Sequence, residues 1–316
     1  MTFNKFESYI KEKTTFSLRD RYDLPSSTLR FEGGAHARIE ISGIESCSNL
    51  EAMIDEAQKR KVTVHRVISL VRGATLLDDE ELKHFAQIGH DYKLEILVNP
   101  TASRGWDTGR QYTTSEGYVS GMRLRGHDAM YNYLREIDRC LNAGIRGFLC
   151  TDEGMLNVLN GLRADGVIPK ETKFKVSVFA GHATAAGGKL LQSLGADSFN
   201  PLADLTLPML ASIRQGGVKI PMDVYISLVE TMGGFQRYHE VADIARICAP
   251  VYFKIEPGPS EAALYNTWVD SANPSYGDNL ARMRVKLAKI CMEWIKRGSE
   301  EIVMNDYRDD LSIPRP

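Results

Sequence analysis

Short segments rich in β-branched residues alternate with amphipathic segments rich in Ala, Leu and Glu along most of the chain. The segments with strand character are AHARIEIS (35–42), VTVHRVIS (62–69), KLEILVN (93–99), RGFLCTD (146–152), KFKVSVFA (173–180), ADSFN (196–200), IPMDVYIS (220–227) and PVYFKIE (250–256). Helical patterns lie between them, with capping-box spacings at Ser48/Glu51 and Asp78/Glu81. Eight alternating strand–helix units predict parallel strands joined by right-handed crossovers, that is, a (β/α)8 TIM barrel.

We expect one domain with extensions outside this repeat. Residues 1–34 predict an N-terminal extension, 35–260 the barrel, and 261–316 a C-terminal helical extension of the same domain. Within the last range, 279–297 has the basic amphipathic pattern of a helix that packs on the barrel, with a partner-binding helix as the alternative. An open, doubly wound sheet is the alternative fold, but no GxGxxG sequence follows the first predicted strand.

A long loop follows the third predicted strand. Residues 99–128 show neither helical nor strand periodicity, and structureless loops of this length are often lids or binding loops. The loop carries Arg104, Trp106 and Arg110, which suit the binding of a polar, anionic ligand. A structural flap or an oligomer contact is the alternative.

The predicted strands are polar on one face and apolar on the other, because successive side chains of a strand point to opposite faces. The polar parity contains Arg38, Glu40 and Ser42 in the first strand, His65 and Ser69 in the second, Glu95 and Asn99 in the third, Lys175 and Ser177 in the fifth, Asp223, Tyr225 and Ser227 in the seventh, and Lys254 and Glu256 in the eighth. Since the helices need an apolar surface, the polar parity should line the barrel interior. Three basic and four acidic groups there predict a nearly neutral, internally paired network, with Arg38 opposite Glu95 as one pair.

Polar groups near the carboxyl ends of the strands are the candidate site, since TIM-barrel active sites lie at that face. The catalytic candidates are Glu40, His65, Asp152, Glu153, Lys175, His182, Lys254 and Glu256. The candidates for substrate binding are Arg38, Asn99, Arg104, Trp106, Arg110, Asn200, Asp223 and Arg237. Two Gly-rich segments, AGHATAAGGKLL after the fifth strand and ETMGGFQRYHE after the seventh, favour a substrate that carries phosphate or carboxylate.

Three chemistries fit this set. Glu40, Asp152, His182 and Glu256 could hold one divalent metal, Mg²⁺, Mn²⁺ or Zn²⁺. Lys254 or Lys175 could act as a Schiff-base former or a base, because a buried lysine beside another cation has a lowered pKa. His182 or His65 could shuttle a proton in hydrolysis.

Composition limits the function classes further. Lys and Arg number 39 against 41 Asp and Glu, so a non-specific nucleic-acid binder is disfavoured. No apolar run approaches the roughly 20 residues of a transmembrane helix, and the charged N-terminus is unlike a signal peptide. The five cysteines form no CxxC motif. We expect a cytoplasmic protein that binds a small molecule and neither nucleic acid nor membrane, with no nicotinamide, flavin or iron–sulfur cofactor; homo-oligomerisation is left open.

The segments GGAHARIEISGIES, VTVHRVISLVRG, FAGHATAAGG, GADSFNPLADLTLPML and PVYFKIEPG resemble bacterial barrels related to the collagenase-like peptidases of unclassified catalytic type. The resemblance, over residues 25–260, implies an α/β barrel and a hydrolase activity. The clustered cysteines that carry an iron–sulfur cluster in part of that family are absent here, as is any HExxH motif.

The residues predict a barrel enzyme that acts on a small polar, anionic metabolite at the C-terminal mouth, by lyase, aldolase or isomerase chemistry. A hydrolase of the collagenase-like type is the first alternative. A non-catalytic ligand-binding barrel is the second.

Overall fold

The chain folds as a closed barrel of eight parallel strands, in the order β1 to β8 with β8 paired to β1. The computed structural model describes residues 4–71, 74–100, 123–265, 273 and 275–316. The strands are β1 (Ala37–Ile44), β2 (Arg66–Ser69), β3 (Glu95–Val98), β4 (Gly147–Cys150), β5 (Lys173–Val176), β6 (Ser198–Phe199), β7 (Met222–Ser227) and β8 (Val251–Ile255). Each overlaps its predicted segment, so the (β/α)8 prediction is confirmed and the open doubly wound sheet is wrong.

Helices connect the strands and form the outer layer. The described helices are α1 (Asn4–Lys13), α2 (Cys47–Arg60), α3 (Asp79–Asp91), α4 (Gly126–Asn142), α5 (Glu153–Ala164), α6 (Ala185–Ser193), α7 (Leu207–Gln215), α8 (Val241–Cys248), α9 (Glu261–Leu264) and α10 (Tyr276–Gly298). The predicted C-terminal helix is thus confirmed as α10, which packs against α2 and α8. None of the helices in the described ranges is long and apolar enough to cross a membrane.

The start of α3 agrees with its predicted cap, and the start of α2 does not. Asp78 accepts from the backbone N–H of Glu81, whose side chain returns to the backbone of Asp78, as the capping-box spacing predicts. Helix α2 begins earlier than predicted, because Ser46 caps it by accepting from the N–H of Asn49. The hydroxyl of Ser48 instead donates to Asp278 of α10.

The apolar strand residues face the helices, and most of the polar ones line the interior. Ile39, Ile41, Ile96 and Phe253, for example, lie in the main apolar core. Strand β2 is the exception, and its predicted parity is wrong. Val67 packs in the core towards the helices, whereas Arg66 points inward among the acidic side chains of neighbouring strands. A guanidinium group needs those acidic partners, and only the interior supplies them.

The C-terminal segment 299–316 closes the N-terminal end of the barrel. The Asp310 carboxylate accepts two hydrogen bonds from Arg38, at 2.9 and 2.8 Å, and Ser312 donates twice to Glu95, both at 2.9 Å. Farther along, the backbone N–H of Arg315 donates to the carbonyl oxygen of Gly144 at 2.7 Å. These contacts bury the charges at this end of the barrel, and the candidate site lies at the opposite end, where the strand carboxyl ends meet.

Candidate active site in the barrel

Arg66 organises the centre of the barrel. Its Nε lies 2.7 Å from Glu40 Oε2, Nη1 lies 3.5 Å from Glu95, and Nη2 donates to Asp223. All four side chains are at most 4% exposed. Burial alone would lower the pKa of Arg66, but Asp223 and Glu40 raise it above its ordinary value. The predicted interior network therefore exists, with Arg66 as a member that the parity rule missed.

Two lysines meet on one carboxylate in this network. The Glu40 Oε1 atom accepts from Lys175 Nζ at 2.5 Å and lies 3.5 Å from Lys254 Nζ. Lys175 Nζ is also 3.3 Å from Asp223 Oδ2. Burial raises the pKa of Glu40, but Lys175, Arg66 and Lys254 outweigh it and lower that pKa to about 2. Glu40 is thus ionised at neutral pH and connects the two ammonium groups.

The two lysines differ in their surroundings. Burial, reinforced by Lys254 and Arg66, lowers the pKa of Lys175 to about 8 although Asp223 and Glu40 oppose the shift. For Lys254 burial acts in the same direction, but Glu256 and Glu40 overcome it and raise the pKa above its ordinary value. Lys175 therefore loses its proton more easily than Lys254.

Lys254 and Glu256 form the upper part of the network, at the carboxyl end of β8. Lys254 Nζ donates to Ser42 Oγ at 2.7 Å and lies 3.0 Å from Glu256 Oε2. The Tyr265 hydroxyl donates to Glu256 Oε1. Burial raises the pKa of Glu256, but Lys254 and Tyr265 lower it overall, while burial and Glu256 raise the pKa of Tyr265 well above its ordinary value. An ammonium, a carboxylate and a phenol are thus in contact where TIM barrels carry out chemistry.

A second polar cluster lies at the rim, after β4 and β5. His182 Nε2 is 2.7 Å from Glu153 Oε1, and Arg123 donates to both oxygens of that carboxylate. Burial raises the pKa of Glu153, but hydrogen bonds, that from Arg123 above all, lower it to about 2. The Glu153 carboxylate therefore stays ionised and orients the imidazole ring.

Other candidates at the strand ends make local structural contacts. Asp152 caps α5 through the N–H of Met155, at 3.0 Å. Asn99 donates to the carbonyl of Val71, and Asn200 to the carbonyl of Asp223. Arg237 donates to Glu240 at 2.6 Å. Arg104, Trp106 and Arg110 lie outside the described residues.

Two candidates lie at the wrong end of the barrel. His65 precedes β2, and its Nε2 atom is 2.8 Å from the carbonyl oxygen of Asn305 in the C-terminal segment. Burial and the charge of Arg38 lower the pKa of His65 to about 3, so the ring is neutral. Arg38 pairs with Asp310 there, and the predicted Arg38–Glu95 pair is wrong. Both residues lie near the starts of their strands and not at the carboxyl ends. The predicted catalytic position of His65 and the predicted substrate-binding position of Arg38 are corrected accordingly.

The structure does not bring the four predicted metal donors together. Glu40 lies among three cations, Glu256 contacts Lys254 and Tyr265, Asp152 caps a helix and His182 contacts Glu153. Within the described ranges, no group of three or more His, Cys, Asp or Glu side chains is arranged to hold a metal ion.

Tyr265 and Arg123 also belong to these clusters, although neither was among the predicted catalytic or substrate-binding residues. Tyr265 follows the short helix α9, beyond the last strand, where no periodicity indicates an inward side chain. Arg123 lies in the aperiodic segment before α4, so its contact with Glu153 depends on the path of a long connection.

No protein-family model and no curated protein matches this sequence. Among solved structures, the U32 peptidase Mk0906 is 13% identical over 72% of this chain and 95% of its own, with a TM-score of 0.43. D-Psicose 3-epimerase from Clostridium cellulolyticum H10 is 10% identical over 82% of this chain and 98% of its own, with a TM-score of 0.47. Dihydrodipicolinate synthase from Bacteroides thetaiotaomicron is 10% identical over 82% of this chain and 81% of its own, with a TM-score of 0.41. Likenesses at this level concern the barrel fold and do not assign the chain to a family.

Proposed function

We propose that this protein is an enzyme of the lyase, aldolase or isomerase type that acts on a small polar carbonyl compound through Lys254. The observation that carries the proposal is the pair of buried lysines that share Glu40 Oε1, with the upper one at the carboxyl end of β8. An amine beside a second cation in a desolvated site is a recognised arrangement for Schiff-base chemistry. The four predicted metal donors are not grouped together in the described part of the chain, which favours lysine chemistry over the metal-assisted alternative.

The shared carboxylate supplies a route for one proton. Interacting groups titrate as a unit, so the low pKa of Lys175 belongs in part to the pair. When Lys175 is neutral, Lys254 can pass a proton to it along Glu40, which leaves the upper amine neutral. The Lys254 nitrogen then adds to the carbonyl carbon, and one of its two protons moves to the former carbonyl oxygen. A second proton lets that oxygen leave as water, and a protonated imine remains on Lys254.

Glu256 and Tyr265 assist this step from their positions beside Lys254. The Tyr265 phenol stays protonated, because its pKa is raised well above the ordinary value, and its hydrogen bond holds the Glu256 carboxylate. The Lys175 ammonium group, with a pKa of about 8, is the stronger acid, and it returns its proton along Glu40 to the departing oxygen. Glu256 accepts from both Lys254 and Tyr265, so it fixes the amine and the phenol relative to each other. It also balances the positive charge of the imine.

Trapping with cyanoborohydride tests the proposal without a known substrate. The protein is incubated with pyruvate, dihydroxyacetone phosphate or hydroxyacetone together with the reductant, and adducts are located by peptide mass spectrometry. We expect at least one compound to modify Lys254, and Lys254→Met to lower the initial rate of adduct formation at least a hundredfold. Adducts spread over exposed lysines, or an unchanged rate in Lys254→Met, would contradict the proposal.

Lys173 provides the matched control. It is also a barrel-strand lysine, but its ammonium group donates to the carbonyl of Asp310 at the opposite end of the barrel. Lys173→Met should therefore keep the rate of adduct formation at Lys254 within about twofold. A near-ultraviolet circular dichroism spectrum of each variant checks that the fold is retained.

A hydrolase is the second candidate function, and the rim cluster is the observation that favours it. The Glu153 carboxylate orients the His182 ring, and a histidine oriented in this way has the geometry of a general base. If dipeptides or small esters are hydrolysed, His182→Gln should abolish the activity and Lys254→Met should spare it. The lysine proposal predicts the reverse pattern for adduct formation.

A further inference from the structure

Arg284, on α10, is a fully buried cation with a mostly unused guanidinium group. Its exposure is 0%, and Nη1 donates to the carbonyl oxygen of Gly43 at 2.6 Å. Its Nε and Nη2 atoms have no hydrogen-bond partner among the described residues. A buried cation normally has its donors satisfied, because unsatisfied ones cost free energy.

Arg214 shows how this protein satisfies an arginine that serves the fold alone. It is also buried, and its guanidinium donates to the carbonyl oxygens of Cys248, Val218, Ile220 and Pro250. Burial lowers the pKa of both Arg214 and Arg284. The two residues thus share burial and differ in their acceptors, so the open donors of Arg284 are not a general consequence of burial.

The unused edge of Arg284 has the geometry that binds a carboxylate or phosphate. Nε and Nη2 are the two nitrogens with which Arg21 holds the Asp23 carboxylate, at 2.8 and 2.7 Å. Such a pair of parallel N–H groups matches the two oxygens of an anionic group. In Arg284 the same edge is buried and has no acceptor within the described part of the chain.

The backbone of β1 makes room for this guanidinium. The β1–β2 register shifts between Ser42 and Ile44, and Gly43 has a φ of 78°. A Cβ at position 43 would lie 2.7 Å from Arg284 Nη2, so any larger residue would displace the group. Bulges of this kind are frequent next to active sites.

Arg284 also lies beside the proposed catalytic cluster. Ser42, the hydroxyl acceptor of Lys254, directly precedes Gly43. Tyr265, Glu256, Glu45 and Tyr276 act on the guanidinium electrostatically, but they do not offset the effect of burial on its pKa. The cation is therefore incompletely neutralised by its surroundings.

We infer that Arg284 binds the anionic group of the substrate through Nε and Nη2, while Lys254 reacts with the carbonyl group. The inference rests on the proposed function and narrows its substrate to small carbonyl compounds that carry a carboxylate or a phosphate, that is, keto acids or sugar phosphates. Arg284 is then a specificity-determining residue that charge patterning along the strands does not reveal, since it lies on a helix.

Calorimetric titration with inorganic phosphate and with pyruvate, at constant ionic strength set by chloride, tests the binding step. We expect the wild type to bind at least one of them, and Arg284→Met to weaken its binding at least thirtyfold. Arg246→Met is the control, because Arg246 of α8 already pairs with Asp243, and it should change the affinity less than threefold. Failure of the wild type to bind either anion, or equal binding by Arg284→Met, would overturn the inference.

Thermal denaturation provides a second readout that separates a binding role from a structural one. Replacing a buried, unsatisfied cation by an apolar residue of similar volume is often neutral or stabilising. Arg284→Met should therefore keep or raise Tm, whereas Arg214→Met, which removes a satisfied arginine, should lower it by several degrees. Equal losses of Tm in both variants would show that Arg284 is structural.

The pair pyruvate and hydroxyacetone separates this inference from the proposed function. Both are small ketones, but only pyruvate carries a charge. In Arg284→Met the preference for pyruvate in adduct formation at Lys254 should fall at least tenfold, with the rate for hydroxyacetone little changed. If no carbonyl compound is trapped while anion binding still depends on Arg284, the proposed function fails and the anion site stands. If Lys254 is trapped equally with both compounds in the wild type, the anion site fails and the lysine chemistry stands.

Discussion

The two ends of this barrel contain similar charged side chains but satisfy them differently. At the N-terminal end, the segment 299–316 supplies a partner for each principal group: Asp310 for Arg38, Ser312 for Glu95 and the Asn305 carbonyl for His65. At the mouth, Lys254 and Glu256 contact each other, and Arg284 keeps two donors without acceptors in the described chain. Charges at one end are compensated within the molecule, and we propose that charges at the other end bind a ligand.

The difference has a physical basis in what the chain can reach. The C-terminal segment places backbone carbonyls, hydroxyl groups and one carboxylate directly under the strand starts, so desolvation there is compensated within the molecule. At the carboxyl ends the acceptors are side chains of the strands themselves, and several cations share them. A polar site that is incompletely compensated binds a complementary ligand with a correspondingly larger gain in free energy.

The largest effect on stability is expected at the N-terminal end. Asp310→Ala leaves the Arg38 guanidinium, whose side chain is 1% exposed, without its carboxylate. We expect the free energy of unfolding to fall by about 3 kcal/mol, because an uncompensated buried charge is costly. Urea denaturation measures the change. The exposed pair of Arg315 and Glu171 is the control, and Arg315→Ala should cost less than about 1 kcal/mol. Equal losses of unfolding free energy in Asp310→Ala and Arg315→Ala would show that the buried pair stabilises the fold no more than the exposed pair does.

The second prediction concerns His65 and the pH dependence of stability. Its folded pKa of about 3 is below the ordinary 6.5, so its contribution is present above pH 6.5 and is lost as pH falls towards 3. Between pH 7 and 5 the loss should be about 2 kcal/mol. His65→Gln keeps a donor for the Asn305 carbonyl and does not titrate, so its unfolding free energy should depend less on pH in this range. Parallel pH curves for the two proteins would show that His65 is not held neutral.

The third prediction concerns the pH dependence of adduct formation at the pair of Lys175 and Lys254. Only the neutral amine adds to a carbonyl, and the pKa of Lys175, about 8, reports the release of a proton from the pair. The initial rate of adduct formation should therefore fall about tenfold for each pH unit below 8, which corresponds to about 1.4 kcal/mol per unit. The rate is measured between pH 6 and 9 at saturating reductant. In Glu40→Gln, which removes the anion that raises the pKa of both lysines, this profile should shift to lower pH; an unchanged profile would show that Glu40 does not control the lysine pair.

Sequence periodicity predicted the fold more completely than the site. Strand–helix alternation identified all eight strands, because parallel strands and covering helices each leave a local pattern. Parity also placed Glu40, Lys175 and Lys254 inside the barrel. It failed at His65 and Arg66, where each face of the strand carries a polar residue and the partners come from distant segments. Arg284 was missed for a related reason, since its relation to Gly43 depends on how α10 packs against β1.

The smallest effect is expected at the rim cluster, where Arg123 is 38% exposed and Glu153 22% exposed. Arg123→Met should lower the free energy of unfolding at pH 7 by about 1 kcal/mol or less, because solvent screens such a pair. The Glu153 pKa of about 2 is below its ordinary 4.5, so the stabilisation is present above pH 4.5 and is lost as pH falls towards 2. The difference in Tm between Arg123→Met and the wild type should accordingly shrink between pH 5 and 3. A loss as large as that of Asp310→Ala would mean that the rim, like the N-terminal end, serves the fold, and the contrast between the two ends would then be limited to Lys254, Glu256 and Arg284.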